Sequence, residues 1–309
     1  MSIKTSKELF RDVSSYLTID QLIVLSMTSM PSLFFGLNNL RFNRFIPSDN
    51  DANKIGLSEL IKSGASNKEI LRSIKECKDI NYQDNKVYVL RGQTPLYHAV
   101  FKRNIEIIKA LVKMGADANI AGRWISPLTM TDDFDIIKIL VNAGADVNNP
   151  KYHGNIIPLN RAIRWDSVDS VNFLISKGAH VNLLDSHGST PLILAVKEYS
   201  NNLDIINTLI ENGADINLRG GRTSGRTPLH YAVNYFREDS AVIRVLIEAG
   251  ANPGIKDFRS NKTPLEASRY YFNLHYNNDD PAKNLESGKE LRLNVITMLE
   301  NYEADYNGI

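Results

Sequence analysis

Arg226, Thr227 and His230 stand close together in the stretch Ser224–Val233, SGRTPLHYAV. An imidazole beside a hydroxyl and a guanidinium raises the question of nucleophilic chemistry. That chemistry needs a defined nucleophile, a base and a group that orients the base, and none of the three can be assigned here. The chain holds 6 His and 1 Cys, so each counts. Cys77 has no His partner nearby in sequence, which favours a neutral or buried thiol over a nucleophile. Asp132-Asp133 and Asp279-Asp280 are adjacent carboxylate pairs. Such pairs mark a helix start or a solvated loop, and a metal site needs more ligands than the sequence supplies. No catalytic, cofactor or metal site is expected.

The bulk properties point the same way. The 309 residues suffice for one elongated domain or two compact ones. With 43% hydrophobic and 23% charged residues, the chain is of the folded class. Its 36 basic and 35 acidic residues leave a net charge of +1. That balance argues against a dedicated nucleic-acid binder. A single cysteine excludes an internal disulfide and fits a reducing compartment. The most apolar run, Leu22 to Leu37, contains hydroxyl side chains and Pro31 and is short for a membrane span. It reads as a pair of core helices.

The elements that must position these residues appear when the opening motif is aligned with the rest of the chain. Copies of Thr-Pro-Leu or its variants place proline at 95, 127, 158, 191, 228 and 264. The spacings are 32, 31, 33, 37 and 36. A second motif, Gly-Ala-Asp or a variant, places glycine at 115, 144, 178, 213 and 250. An acid (Glu106, Asp135, Asp169 or Asp204) precedes four of these glycines, with apolar pairs between them. Each unit therefore predicts two helices. Thr caps the first and Pro fills its first turn. The acid opens the second near its positive end. Gly closes it, and a polar turn follows. One such pair cannot bury its apolar face alone, so neighbours must stack.

The segments GRTPLHYAV and NGADINL resemble the ankyrin repeat family, over about residues 57–305. The resemblance implies an all-α solenoid of about seven stacked helix-turn-helix units with projecting hairpin fingers. It also implies that His230 is a scaffold residue, with His98 one position later than the family's. Residues 57–90 read as a degenerate capping repeat, 91–262 as five repeats, and 263–305 as a C-terminal capping repeat. Three departures stand out. The repeat from Pro127 to Gly144 is short, which predicts the loss of about a turn between its helices. A polar insertion is expected at 273–287, before a closing helix at Val295–Leu299. The finger before Thr227 is lengthened by RGGRTSG, and its glycines suggest flexibility. Arg219, Arg222 and Arg226 there could meet a phosphate or an acidic partner, but the segment lacks the Lys-Ser/Thr ending of a nucleotide loop.

Residues 1–50 fall outside the repeat. Leu9, Phe10, Tyr16, Leu17, Leu22 and Leu25 follow a pattern that resembles an F-box, the helical module that docks onto the adaptor subunit of cullin-RING ubiquitin ligases. Thr5 and Ser6 stand where the usual Leu-Pro would be. The same segment also reads as a helical cap on the first repeat.

The implied function is non-enzymatic: a scaffold that binds a partner protein on its concave face. With an F-box-like N-terminus it becomes a substrate-recruiting adaptor. Without one, it is an adaptor or inhibitor that binds a single host or cellular protein with no ubiquitin link. Proteins combining these modules serve bacteria and large DNA viruses inside host cells, so a cytoplasmic or host-cytosolic effector is implied. A capped solenoid is monomeric by default, and no nucleic acid or membrane is expected as partner. The finger tips nominate Arg123, Trp124, Tyr152, His153, Ser186, His187, Arg219, Arg222, Arg226, Phe258 and Arg259 for partner binding. The first helices add Lys102, Arg103, Arg164, Trp165, Tyr235 and Phe236.

Overall fold

The computed structural model describes residues 56–83, 92–122, 125–148, 157–197, 202–235, 240–276 and 286–308. The module expected over residues 1–50, with its apolar run, lies outside them. The described residues form thirteen α-helices and one 3-10 turn, arranged as seven pairs. The first pair is α1 (Leu57–Ser63) and α2 (Asn67–Glu76), the second α3 (Pro95–Phe101) and α4 (Ile105–Lys113). In the third, a 3-10 turn (Pro127–Thr129) precedes α5 (Phe134–Asn142). There follow α6 (Pro158–Arg164) with α7 (Val168–Ser176), and α8 (Pro191–Lys197) with α9 (Leu203–Glu211). Then come α10 (Pro228–Tyr235) with α11 (Ala241–Glu248), and α12 (Pro264–Tyr276) with α13 (Glu286–Asn307).

The helix ends obey the expected local chemistry. Thr94, Thr190 and Thr263 each accept the N–H three residues on, at 3.1, 3.0 and 3.2 Å. Asn104, Asp133, Ser167 and Asn202 cap the second helices in the same way, with the acids in the turn that follows. At the far ends Gly115, Gly144, Gly178, Gly213 and Gly250 adopt φ of 85–89°. The alanine after each donates to a leucine carbonyl five residues back, at 2.9–3.0 Å. This closes each helix with a Schellman motif. It also explains why Ala follows Gly, since both the Ala methyl and the leucine are buried.

First helices pack on first helices and second helices on second helices along the stack. Between the two rows lies one continuous core, with Leu96, Ile107, Ile136, Leu159, Leu192 and Leu229 fully buried. Burying side chains of this size contributes about 1.5–3 kcal/mol each.

A second set of contacts runs along the turns after the second helices. Asn119, Asn148 and Asn182 each donate Nδ2–H to the closing glycine carbonyl of the next repeat, at 2.9, 2.7 and 3.0 Å. The Oδ1 of each accepts a backbone N–H from that same turn: Asp146, His180 and Asp215, at 2.7–2.8 Å. Asn81 and Asn217 extend the ladder at 3.5 Å to Gly115 and Gly250. Each amide thus spans two successive turns with both of its ends.

Two departures differ from expectation. The third pair does not lose residues between its helices. It loses the first helix itself, which shrinks to the 3-10 turn. Asp133 must cap α5, and Thr131 Oγ1 accepts the Asp133 N–H at 3.2 Å, so the chain is committed to a turn before a helix can form. The Thr129 carbonyl that a helix would have used accepts Arg161 Nε–H at 3.1 Å instead. Arg103 reaches across to Asp132 at 2.9 Å and Asp133 at 3.4 Å. At the C-terminus, α12 runs on through Tyr276 and α13 begins at Glu286. Residues 273–276 and 286–287 of the expected insertion are therefore helix, and 277–285 lie outside the described residues. The closing helix is 22 residues long, far beyond Val295–Leu299.

Replacing Asn182 with Ala removes both ends of one clamp and exposes the Gly213 carbonyl and Asp215 N–H to water. We expect a loss of about 1–2 kcal/mol in urea unfolding, with the helical signal of the folded state unchanged. A cost below the error of the measurement would show that the ladder is incidental to stability.

Candidate protein-binding surface

The fingers lie between each second helix and the next Thr-Pro-Leu. In the finger at 185–189, Asp185 organises a tight turn. Its Oδ1 accepts the N–H of His187 and Ser189, both at 2.8 Å, and its N–H donates to the Ser189 carbonyl at 3.0 Å. Ser186 and His187 sit on the tip, with 3.4 Å between Oγ and Nδ1, and His187 is exposed.

The arginine finger is closed rather than loose. Gly220 and Arg226 exchange two backbone hydrogen bonds, at 2.8 and 3.0 Å. Ser224 Oγ donates to the Gly220 carbonyl at 3.2 Å and also lies 3.2 Å from Tyr231 OH. The Gly221 N–H donates to the Gly188 carbonyl, and the Phe258 N–H to the Ser224 carbonyl, both at 2.7 Å. Three successive fingers are thus joined through their backbones.

Arg226 points inward. Its Nε donates to Asp257 Oδ2 and its Nη2 to Tyr271 OH, both at 3.2 Å. The Asp257 side chain is 0% exposed and that of Arg226 19%. Burial opposes both charges. For Arg226, the Tyr271 hydroxyl and Asp257 outweigh it and raise the guanidinium above its ordinary value. For Asp257, hydrogen bonds from Ser260 and Arg226 hold the carboxyl below its ordinary value. Arg219 and Arg222 stay on the exposed side, with the Arg219 guanidinium 4.7 Å above the Phe258 ring.

His230 is scaffold. Its Nδ1 lies 2.8 Å from Thr227 Oγ1 and accepts the Thr227 N–H at 3.3 Å. That leaves Nε2–H to donate to the Lys262 carbonyl at 3.0 Å, in the next finger. Both ring nitrogens are engaged and the residue is buried, so no lone pair faces a substrate. Thr227, the apparent nucleophile, is also buried.

On the first-helix row, Trp165 ends α6 half-buried, with the Arg161 guanidinium 4.5 Å from its ring centre. Burial, and then the nearby Arg164, lower Arg161 to about 10, while Asp132 opposes the shift. Arg161 therefore stays charged at neutral pH. Arg164 is exposed next to Trp165 at the end of α6, Lys102 is exposed at the end of α3, and Arg103 is held by its aspartates. Arg123, Trp124, Tyr152, His153 and Phe236 lie outside the described residues, as do Leu9, Phe10, Tyr16, Leu17, Leu22 and Leu25. Tyr235 is the last residue of α10.

Sequence reasoning missed Asp257 and Tyr271 as partners of Arg226. The available signal was an acid shortly before the next Thr-Pro-Leu, at Asp185 and again at Asp257. Among the described residues, no cluster of three or more His, Cys, Asp or Glu side chains could hold a metal ion. Asp133 caps α5, and Cys77 Sγ donates to the Asp79 carbonyl at 3.3 Å. No described helix is long and apolar enough to cross a membrane.

Known proteins carry the same architecture. The family described as ankyrin repeats (3 copies) matches residues 128–220 and 181–257, and the single ankyrin repeat matches 91–120. Putative ankyrin repeat protein FPV230 of Fowlpox virus is 33% identical over 144 residues, covering 44% of this chain and 73% of the relative. The chain belongs to the ankyrin repeat family. The ankyrin repeat and SOCS box protein 11 of mouse is 30% identical over 148 residues, 46% of this chain and 35% of the relative. The crystal structure of the Bcl-3 ankyrin repeat domain superposes with a TM-score of 0.58 at 23% identity, covering 70% of this chain and 94% of that one. This last likeness bears on the fold alone. In an ankyrin stack, a protein-protein interaction domain, the fingers and first helices form the surface left free by repeat packing.

Burial is the main cause that lowers the His230 pKa, opposed by the bond to Lys262 and by Asp257. The folded chain then takes up a proton less readily than the unfolded chain. The His230 contribution to stability is complete above about pH 6.5 and is lost as the pH falls from there through the lower folded value. We expect the unfolding midpoint, followed by circular dichroism, to drop between about pH 7 and about pH 5. His230→Gln should lower stability at neutral pH and flatten that drop. An unchanged pH profile in the variant would assign the acid sensitivity elsewhere.

Proposed function

We propose that this chain is a non-enzymatic recruiting adaptor. Its ankyrin stack holds a partner protein on the concave first-helix row and the fingers. Its F-box-like residues 1–50 dock the assembly onto the adaptor subunit of a cullin-RING ubiquitin ligase. The observation that carries the binding half is the use of the polar groups. The residues that looked reactive, Thr227, His230 and Arg226, are all consumed inside the scaffold. Aromatic and cationic side chains at the finger tips and helix ends, Phe258, Arg219, Arg222, Trp165 and Arg164, are left on the surface. Aromatic and Arg anchors of this kind dominate protein interfaces.

The ligase half is supported by the Leu/Phe pattern of residues 9–25 and by a relative that joins ankyrin repeats to a second short module, named as a SOCS box. The Fowlpox virus relative supports a host-directed role in the cytosol. On this reading the protein acts as a monomer and needs no cofactor.

The test uses the full-length chain, immobilised, with the purified ligase adaptor subunit and with host cytosol. We expect the intact chain to retain both the adaptor and a specific host protein. Combined L9A, F10A, L22A and L25A should cost at least about tenfold in adaptor affinity and leave host-protein capture intact. R164A with W165A should do the reverse. An intact chain that does not retain the adaptor overturns the ligase half and leaves an ankyrin adaptor or inhibitor without a ubiquitin link.

A further inference from the structure

We propose that the fingers at 219–226 and 256–262 form a docking cradle for an acidic linear segment of a partner protein, one that carries a bulky apolar side chain among its acids. This rests on the partner-binding reading above and names the chemistry of one part of the partner.

Charge is the first argument. These two fingers hold Arg219, Arg222, Arg226, Lys256, Arg259 and Lys262, and only one acid, Asp257. Asp257 is fully buried and spent on Arg226 and Ser260. The outward face therefore carries positive charge only. Arg219, Arg222, Lys256 and Arg259 are exposed and form no ion pair among the described residues. The chain as a whole is balanced at +1, so the excess is concentrated on this arm and offset elsewhere. Repulsion among these cations disfavours the free state slightly, and an acidic ligand relieves it.

The second argument is the aromatic pair set among the cations. Phe258 is 66% exposed and Tyr270 51%. Phe258 contributes nothing to the core, yet it is held in place. Its N–H is tied to Ser224, Arg219 lies against its ring, and a Cβ on Gly225 would come within 2.1 Å of it. Gly225 also has φ +57°, so a side chain is excluded there twice over. The Lys262 ammonium lies 5.5 Å from the Tyr270 ring centre. An apolar side chain laid on Phe258 would sit beside Arg219, and acids flanking it would face Arg222 and Arg259. Acidic and apolar residues in alternation fit this surface.

The third argument is rigidity. The exposed cations ride on fingers locked by the Gly220–Arg226 bridge, the Phe258–Ser224 hydrogen bond and the buried Arg226–Asp257 pair. A locked surface loses little entropy on binding. A polyanion such as RNA is a poorer fit. The cationic stretch spans two fingers only, and the preceding finger presents Asp185 and His187 rather than further cations. Nucleic-acid affinity comes from a run of phosphate contacts.

Full-length protein is titrated into the fluorescein-labelled peptide Glu-Glu-Asp-Trp-Asp-Glu-Glu. Parallel titrations use the same peptide with Gly for Trp, with Lys for every acid, and single-stranded RNA. We expect binding of the acidic Trp peptide, weakened by salt, with weaker binding of the Gly form and none of the Lys form. R222E with R259E, and separately F258A, should each reduce affinity at least about tenfold. Charge reversal of the exposed α4 lysines, K109E with K113E, should change little. The substituted side chains make no hydrogen bond among the described residues, and an unfolding midpoint equal to that of the unsubstituted chain confirms that each variant is folded. No binding of the acidic peptide, or binding indifferent to the finger variants, overturns the proposal. RNA binding that is tighter than the peptide's and lost in R222E with R259E also overturns it, in favour of a nucleic-acid site. The variants at Arg164 and Trp165 lie off these fingers, so failure of this cradle and failure of the general binding reading are told apart.

Discussion

The stack depends on one recurring asparagine amide. Five of the helix pairs end in a Gly-Ala turn, in which the glycine carbonyl and the N–H of the residue after the alanine find their partner in a neighbouring repeat. Asn119, Asn148 and Asn182 satisfy one of each in the next turn along. A single planar group donating at one end and accepting at the other fixes the offset between neighbours as well as their attraction. Hydrophobic burial between the helix rows supplies most of the energy but is non-directional. The amide supplies direction. Where the residue after the turn changes, as with His180 in place of aspartate, the clamp persists because it uses the backbone N–H alone.

That division of labour explains how the chain tolerates irregular repeats. The third pair gives up its first helix, yet α5 keeps its place, because Asn81, Asn119 and Asn148 hold the turns on both sides. The vacated position on the first-helix row is then patched by side chains from its neighbours. Arg103 crosses from one side to the aspartates, and Arg161 from the other to the orphan carbonyl. Arg103 does so from a left-handed backbone, φ 54°, a conformation usually left to glycine.

The fingers follow the same logic with different residues. Asp185 and Asp257 each fold a turn by accepting backbone N–H groups. In the second case the carboxylate also captures Arg226 from the preceding finger. The lengthened finger is thereby pinned rather than free. Its pinning aims Arg219 and Arg222 outward beside Phe258. The cluster that first suggested catalysis, a histidine with a hydroxyl and arginines, is the joint at which two repeats and two fingers meet.

The sequence alone determined the period, the helix starts and the helix stops. Each of these is written within a single turn of chain: Thr before Pro, an acid at the helix opening, Gly before Ala. Local hydrogen bonds and backbone preferences act over three to five residues, so a reader of residues can follow them. It also showed where the repeats depart from their period. Tertiary structure alone decided which way each departure was absorbed, and which arginines face inward. Arg226 and Asp257 are 31 residues apart, and Asn182 and Gly213 are also 31 apart. Such partners meet only when one repeat has stacked on the next. Nothing in the local composition of RGGRTSGR separates Arg226 from Arg219 and Arg222. The separation comes from a buried carboxylate one repeat away, which needs a cation and has room for one.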